Sequence, residues 1–182
     1  MFALTPRLTL RPGWPEDAPE LTRAIGHEAV VTRLARAPWP YSEDDARSFL
    51  SQPRGGDDPV FLITERGPTS RLVGGIGLHD GGNAPELGCW LTPDVWGRGY
   101  ATEAGRAVVA IARDTLRLPR LRAQYMVGNG ASARVLAKLG FTPTGRIVPL
   151  ACRALGHEVE AVEMALDLDE VRGGSGVMSL AA

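Results

Sequence analysis

Residues 96–102, with the sequence Trp-Gly-Arg-Gly-Tyr-Ala-Thr, have the composition of a phosphate-binding turn. A strand-like run, residues 86–91, precedes this turn, and a long helical pattern follows it. The free N–H groups at the start of such a helix point at one spot, with the positive end of the helix dipole behind them. Gly97 and Gly99 carry no side chain that would hold a ligand away from the backbone. The stretch therefore predicts a binding site for a phosphate-bearing cofactor.

Two familiar phosphate loops do not fit this stretch. A P-loop ends in Gly-Lys followed by Ser or Thr, but the chain's only lysine is Lys138. A dinucleotide-binding fingerprint needs a third glycine at the position of Thr102. Residues 96–101 instead fit the pattern Arg/Gln-x-x-Gly-x-Gly/Ala, with Trp96 at the position of the commonest Arg or Gln. In this form they resemble the acetyl-CoA loop of the GNAT N-acetyltransferase superfamily.

A second segment strengthens the resemblance. Residues 129–141 are similar to the superfamily's Asn-x-x-Ser-x-Arg…Lys-x-Gly-Phe segment, and they begin about 30 residues after the glycine loop. Residues 5–12 and 156–159 match more weakly, so the resemblance covers roughly residues 5–168. The sequence around the loop resembles that of the ribosomal-protein alanine N-acetyltransferases (RimJ/RimL-like branch) and their small-substrate relatives. The motifs indicate the superfamily but not the acceptor.

The resemblance implies a fold and an activity. We expect one mixed α/β (α+β) GNAT-type domain over residues 1–170, with a central, mostly antiparallel twisted sheet whose central strands splay apart, flanked by helices. Residues 171–182 are expected to be a flexible tail. The implied activity is acetyl-CoA-dependent transfer of acetyl directly to a primary amine, on a protein N-terminus or a small molecule, through a ternary complex. The alternative is a non-catalytic acyl-CoA-binding or interaction module with the same fold.

Acetyl transfer to an amine requires a neutral nucleophile, a donor for the thioester oxygen, and a proton or donor for the departing thiolate. The resemblance makes Glu86 the candidate base, acting through a water. It makes Ser132 the candidate thiolate donor, with Tyr125 as the alternative. Each residue also has a structural interpretation: a strand-edge carboxylate paired with an arginine, a serine in the first turn of a helix that bonds backbone, and a half-buried strand aromatic.

The resemblance also assigns contacts with acetyl-CoA. Trp90 and Leu91 would offer backbone groups, Asn129 would contact pantetheine or only cap a helix, and Arg134 would face the phosphates or solvent. Eight Lys or Arg residues between positions 98 and 138, against two acidic residues, suit the charge of CoA. The predicted cofactor-binding residues are Trp90, Leu91, Thr92, Trp96, Gly97, Arg98, Gly99, Tyr100, Ala101, Thr102, Asn129, Ser132 and Arg134.

Cys89 raises a rival mechanism, in which a thiolate activated by His79 carries the acetyl group. A cysteine inside an apolar strand is usually a small core residue, so we expect direct transfer instead. Two cysteines do not form a disulfide framework or a metal site, and the three histidines are dispersed. We therefore predict no metal.

Composition limits the partners. At 182 residues the chain is long enough for one well-buried domain, and its net charge of −1 gives no general argument for nucleic-acid or membrane binding. We recognise no signal peptide and no apolar run long enough to span a bilayer, which predicts a cytoplasmic protein. The predicted partner is a primary-amine acceptor, and a homodimer is left open.

The acceptor is expected between the early helices, residues 15–51, and the final strand pair, residues 141–168. Acidic residues of the early region and the turn after it would attract a cationic amine there, or would serve only as helix-start charges and turn residues. These residues are Glu43, Asp44, Asp45, Asp57 and Asp58.

The elements that must position these residues follow from periodicity and turn signals. Strands are predicted at residues 8–11, 59–65, 71–79, 85–91, 121–126, 141–149 and 158–168, with 59–65 and 71–79 forming a hairpin. Helices are predicted at residues 15–26, 27–36, 42–51, 100–116 and 132–139. A capping box at Ser42 opens the third helix, and Asn129 and Gly140 bound the last.

Overall fold

The computed structural model describes residues 1–53, 58–67 and 70–169. Its strands are β1 (Ala3–Leu4), β2 (Leu8–Arg11), β3 (Val60–Glu65), β4 (Leu72–His79), β5 (Glu86–Leu91), β6 (Arg120–Met126), β7 (Thr142–Cys152) and β8 (His157–Asp167). Its α-helices are α1 (Ala18–Ile25), α2 (Glu28–Val31), α3 (Glu43–Leu50), α4 (Tyr100–Ala110) and α5 (Gly130–Lys138). Short 3₁₀ segments lie at Pro15–Asp17 and Pro93–Val95, and a π turn at Ile111–Thr115 extends α4.

Within these residues, eight strands form one open sheet in the order β1-β2-β3-β4-β5-β6-β8-β7. Neighbouring strands are antiparallel except β5 and β6, which run parallel. The predicted hairpin is the β3–β4 pair. The observed architecture confirms the expected mixed class with a mostly antiparallel sheet.

Helices cover both faces of the sheet. One apolar cluster packs α4 and α5 against it, and a second cluster packs α1, α2 and α3. Leu72 of β4 belongs to the second cluster and the adjacent Val73 to the first, because successive side chains of a strand point to opposite faces. β4 is consequently buried from Leu72 to Leu78. We refer below to the α1–α3 face and the α4–α5 face.

The parallel pair β5–β6 is joined at one end only. Its single residue pair is Glu86 with Arg122, and the N–H of Arg122 donates to the Pro85 carbonyl at 2.9 Å. Beyond this point, towards Leu91 on β5 and Met126 on β6, the strands are not paired. This V-shaped gap confirms the expected splay of the central strands.

Several elements differ from their predicted bounds. β1 was not predicted. The predicted helix 27–36 is only the single turn of α2, because the chain after it turns away to meet the β7–β8 connection: the N–H of Arg153 donates to the Ala35 carbonyl at 2.9 Å. β7 continues to Cys152, three residues beyond the predicted end. Most of the predicted turn at 55–58 and the predicted tail at 171–182 lie outside the described residues.

Candidate active site

The start of α4 forms a bare backbone surface. Gly97 and Gly99 have φ angles of +78° and +81°, in the left-handed region that favours glycine. The first N–H of the helix with a backbone partner is that of Glu103, which donates to the Gly99 carbonyl at 3.0 Å. The N–H groups of Tyr100, Ala101 and Thr102 have no backbone partner in the part of the chain that the structure describes. This arrangement has the backbone geometry of the anion site that the sequence predicts.

A network of side chains braces this loop from the N-terminal hairpin. The Glu103 carboxylate accepts from the Thr5 hydroxyl at 2.6 Å, from the Arg7 N–H at 2.9 Å and from Arg7 Nε at 2.7 Å. Arg7 Nη1 also donates to the Arg98 carbonyl at 2.9 Å, and its guanidinium lies over the Tyr100 ring. Burial acts to raise the pKa of Glu103, but the bonds from Thr5 and Arg7 hold that pKa below its ordinary value.

Trp96 joins the loop to the strand before it. Its indole Nε1 donates to the Leu91 carbonyl at 2.8 Å, and the Arg33 guanidinium lies 5.3 Å from the ring centroid. Trp96 thus tethers the loop to the end of β5 and contacts the segment that follows α2. The residue that departs from the usual pattern therefore has a structural role of its own.

The gap between β5 and β6 exposes backbone groups on both of its edges. The N–H of Thr92 donates to the Val73 carbonyl at 2.9 Å, so the alternation of the β4–β5 ladder turns the backbone groups of Cys89 and Leu91 towards β6. The same alternation along the β6–β8 ladder turns the backbone groups of Gln124 towards β5. An extended chain lying in the gap could pair with either edge.

Side chains around the gap are sorted between the two faces of the sheet. Leu87 and Leu91 belong to the α4–α5 cluster, so Glu86 and Trp90 point to the α1–α3 face, where Trp90 packs. On β6, Tyr125 packs against the α4–α5 cluster, which leaves Gln124 on the other face. The candidate base and the candidate donor Tyr125 therefore lie on opposite faces.

Glu86 lies at the apex of the gap in a partly desolvated setting. Burial raises the pKa of its carboxyl, while the charges of Arg122 and Arg36 and a hydrogen bond from Gln124 act against that rise. The Gln124 bond runs from Nε2 to Glu86 Oε2 at 3.1 Å. Arg122 itself is fixed by Glu163, whose Oε2 lies 2.5 Å from Nη2. A carboxylate with a raised pKa accepts a proton more readily at neutral pH.

Ser132 and Asn129 form a capping pair at the start of α5, on the α4–α5 face. The Asn129 side chain accepts from the Ser132 N–H at 3.2 Å, as predicted for a cap. Asn129 Nδ2 also donates to the Ser132 hydroxyl oxygen at 3.2 Å, which leaves the hydroxyl proton for another acceptor. The structural and the chemical interpretations of Ser132 are therefore compatible.

Cys89 does not form the pair that the rival mechanism requires. It packs against the α4–α5 cluster, and burial raises the pKa of its thiol to about 12. His79 pairs with Glu86 in the ladder and lies beside Gly88, so it points to the opposite face from Cys89. In residues 1–53, 58–67 and 70–169, no group of three or more His, Cys, Asp or Glu could hold a metal ion.

A basic groove runs beside the start of α4. It has a volume of about 800 Å³, and Arg7, Thr102, Arg106 and Lys138 line it together with residues of the N-terminal hairpin. Arg134 is exposed and folds back along α5 towards Gly130. The positive charge expected for this half of the chain thus borders the free N–H groups of α4.

Two of the acidic residues of the early region, Glu43 and Asp45, are engaged in local structure. Asp45 forms a reciprocal capping box with Ser42, and Glu43 pairs with Arg47 one turn along α3. Asp57 lies outside the described residues. The bonds of Asp45 and Glu43 fit the helix-start interpretation. The charged residues that act on Glu86 from this side include Arg36.

Three contributions were not predicted from the sequence: the contact of Gln124 with Glu86, the Arg7–Glu103 brace, and the charge of Arg36. Period-two alternation along residues 121–126 would have placed Gln124 on the face opposite Tyr125. The Arg7–Glu103 brace and the effect of Arg36 on Glu86 each involve segments far apart in the sequence, so no local sequence pattern predicts them.

Comparison with known proteins gives a consistent match. Residues 7–142 match the acetyltransferase (GNAT) domain family. An uncharacterized N-acetyltransferase of Bacillus subtilis (strain 168), YoaA, is 36% identical over 84 residues, which are 44% of this chain and 48% of that protein. The chain therefore aligns with about half the length of that relative.

Solved structures share the fold over nearly the whole chain. A GNAT-family acetyltransferase from Bacillus anthracis has a TM-score of 0.79 at 23% identity, covering 93% of this chain and 99% of that one. Mycobacterium smegmatis RimJ, solved with CoA-disulfide, has a TM-score of 0.78 at 20% identity, covering 93% and 88%. Both similarities show a shared fold. No helix in the described part of the chain has the length and hydropathy needed to cross a membrane.

Proposed function

The chain belongs to the GNAT acetyltransferase family, and from that premise we propose that it transfers acetyl from acetyl-CoA directly to a primary amine. The observation that carries the proposal is the V-shaped gap between β5 and β6. Its closed end holds Glu86, a carboxyl with a raised pKa, and the strand that forms one of its sides leads straight into the glycine loop. A pantetheine arm lying in the gap would join a thioester near Glu86 to phosphates bound at the glycine loop.

The proposed cofactor site uses the backbone first. The free N–H groups of Tyr100, Ala101 and Thr102 bind the pyrophosphate. The backbone groups of Cys89 and the N–H of Leu91 pair with pantetheine amides, because the Leu91 carbonyl already accepts from Trp96 Nε1. Cationic side chains bordering the groove and α5 hold the remaining phosphate of CoA; these are Arg106, Arg134 and Lys138. The other predicted cofactor residues lie in the same loop and strand end, except Asn129 and Ser132, which lie at the start of α5.

The proposed chemistry divides between the two faces of the sheet. On the α1–α3 face, Glu86 takes a proton from the acceptor ammonium through a water, and the neutral amine attacks the thioester carbon. The carbonyl oxygen gains negative charge and accepts from a backbone N–H in the gap. The C–N bond forms, the nitrogen loses its second proton to water, the C–S bond breaks, and the CoA thiolate takes a proton on the α4–α5 face from Ser132 or Tyr125, which solvent then reprotonates.

Release of free CoA thiol from acetyl-CoA, measured with short peptides, polyamines, amino acids and amino-sugars, tests the proposal. We expect thiol release with at least one of these amines and an acetylated product of matching mass. Saturable acetyl-CoA binding without thiol release for any amine would favour the non-catalytic binding module instead.

Intact-mass spectrometry after mixing with acetyl-CoA alone tests direct transfer. We expect no adduct, because burial raises the pKa of Cys89 to about 12 and its partner His79 faces the other way. A stoichiometric acetyl adduct that an added amine discharges would replace the ternary complex with a ping-pong scheme.

A further inference from the structure

The amide oxygen of Gln124 is exceptional within residues 1–53, 58–67 and 70–169. It is the one buried side-chain nitrogen or oxygen atom there that has no hydrogen-bond partner. A buried acceptor that loses its water partners and gains none is unfavourable, and native proteins contain few of them. Such a group is retained where it serves something other than stability.

The position of this oxygen is defined by its own amide nitrogen. Gln124 Nε2 donates to Glu86 Oε2 at 3.1 Å, so the carboxamide lies beside the candidate base. The residue stands on β6, two positions beyond Arg122, where the strands begin to separate. Its backbone groups point into the gap, and its side chain lies on the α1–α3 face. It is therefore at the apex of the gap, on the face from which the acceptor is proposed to approach.

We propose that Gln124 Oε1 accepts a hydrogen bond from the acceptor amine and holds it against the thioester, a role that rests on the proposed acetyl transfer. An alkylammonium carries several N–H donors. One is directed to Glu86, through water, and loses its proton. A second is held by Gln124 Oε1, which stays neutral and keeps the nitrogen in place after deprotonation. The last torsion of a glutamine side chain is soft, so Oε1 can turn towards an arriving N–H.

Gln124→Met tests this role, because methionine keeps the length of the side chain and removes both amide atoms. With an amine that the wild type acetylates, we expect kcat/KM for the amine to fall about 10- to 100-fold, while the Kd for acetyl-CoA changes less than about threefold. The melting temperature should change little, since the substitution removes an unpaired buried acceptor together with the single Nε2 bond to Glu86. Gln52→Met, at the chain's only other glutamine, is the matched control and should retain wild-type kinetics.

A double-mutant cycle separates holding the amine from orienting the base. In a Glu86→Gln background, Gln124→Met should still lower kcat/KM by at least about fivefold. If its effect disappears in that background, Gln124 acts only through Glu86 and the proposal is wrong. Wild-type kinetics for Gln124→Met, whatever its melting temperature, would also overturn the proposal.

Gln124→Glu provides a second variant in case the methionine variant does not fold. It keeps an acceptor oxygen, so the KM for the amine should stay within about threefold of wild type at high pH. The added negative charge should move the acidic limb of the pH profile upwards, since a like charge raises the pKa of Glu86. A KM for the amine that rises well beyond about threefold at high pH in this variant contradicts the proposal. If the wild type transfers acetyl to no amine, the proposed function and this inference fail together.

Discussion

The cofactor half and the acceptor half of this protein are built on different plans. The proposed acetyl-CoA site comes from one continuous stretch, the end of β5, the glycine loop and the start of α4, together with the start of α5. The proposed acceptor site combines Glu86 of β5, Gln124 of β6 and the segment after α2, which the β7–β8 connection holds in place. The first site depends mainly on backbone N–H groups, and the second on side chains from distant parts of the chain.

This difference predicts how each half responds to change. A backbone site tolerates side-chain substitution but not the loss of glycine at a positive φ angle. A side-chain site loses one interaction at a time, and its electrostatic contributions are graded. We therefore expect a single glycine substitution in the cofactor half to cause a large loss of acetyl-CoA affinity. In the acceptor half we expect single substitutions to lower kcat/KM in graded steps.

Gly99→Glu should produce the largest effect. It places a side chain and a negative charge where the pyrophosphate is proposed to bind, so we expect the Kd for acetyl-CoA to rise by about 100-fold or more, roughly 2.7 kcal/mol. Isothermal titration calorimetry measures this directly. Gly82→Glu is the matched control: Gly82 has the same φ of +81°, but it precedes β5, whereas the loop follows it. Equal acetyl-CoA affinity in both variants would contradict the loop assignment.

The elements that form the proposed cofactor half are predictable from the sequence because their signals are local. The glycine loop and the Asn129 cap each involve residues only a few positions apart, and the structure contains the Asn129 cap as a hydrogen-bonded cap. The Ser42 capping box of α3, on the other face of the sheet, is likewise local and is likewise present. The acceptor half depends on long-range contacts instead. The predicted helix 27–36 is longer than the observed α2, because the segment after α2 turns to bond Arg153, more than 100 positions later. The bond between Gln124 and Glu86 likewise joins separate strands, which composition and periodicity do not report.

Glu86→Gln should reduce kcat/KM by about 100-fold and leave acetyl-CoA affinity nearly unchanged, because the amide keeps the shape but cannot take a proton. The pH profile supplies the sharper readout. Burial raises the pKa of Glu86, so the wild-type acidic limb should lie above the ordinary range of a glutamate and should vanish in the variant. Retention of full rate at neutral pH would exclude Glu86 as the base and direct attention to His79, which points to the same face.

Glu103→Gln tests whether the cofactor half needs its brace. The substitution removes the charge that Arg7 and Thr5 bind, which should raise the Kd for acetyl-CoA about three- to tenfold with little change in kcat. These bonds hold the pKa of Glu103 below its ordinary value. Their stabilisation is therefore present above that ordinary pKa and is lost as the pH falls through the lowered folded-state value. Thermal unfolding of wild type and variant should converge at acid pH, and a constant difference in melting temperature at all pH values would argue against this charge-based brace.

Arg36→Ala should give the smallest effect and the most informative one for the acceptor half. The Arg36 charge acts to lower the pKa of Glu86, so its removal should raise that pKa and shift the acidic limb of kcat/KM to higher pH. At pH values below the limb we expect kcat/KM of the variant to be about twofold lower than that of wild type. Well above the limb we expect no difference, because Glu86 is then ionised in both proteins. The shift should shrink with added salt, since Arg36 is exposed. Arg47→Ala, an exposed arginine of α3 paired with Glu43, controls for the general loss of positive charge. A loss that is uniform across the pH range would mean that Arg36 contacts the acceptor itself, and the preference for amines bearing a negative group would then reveal that contact.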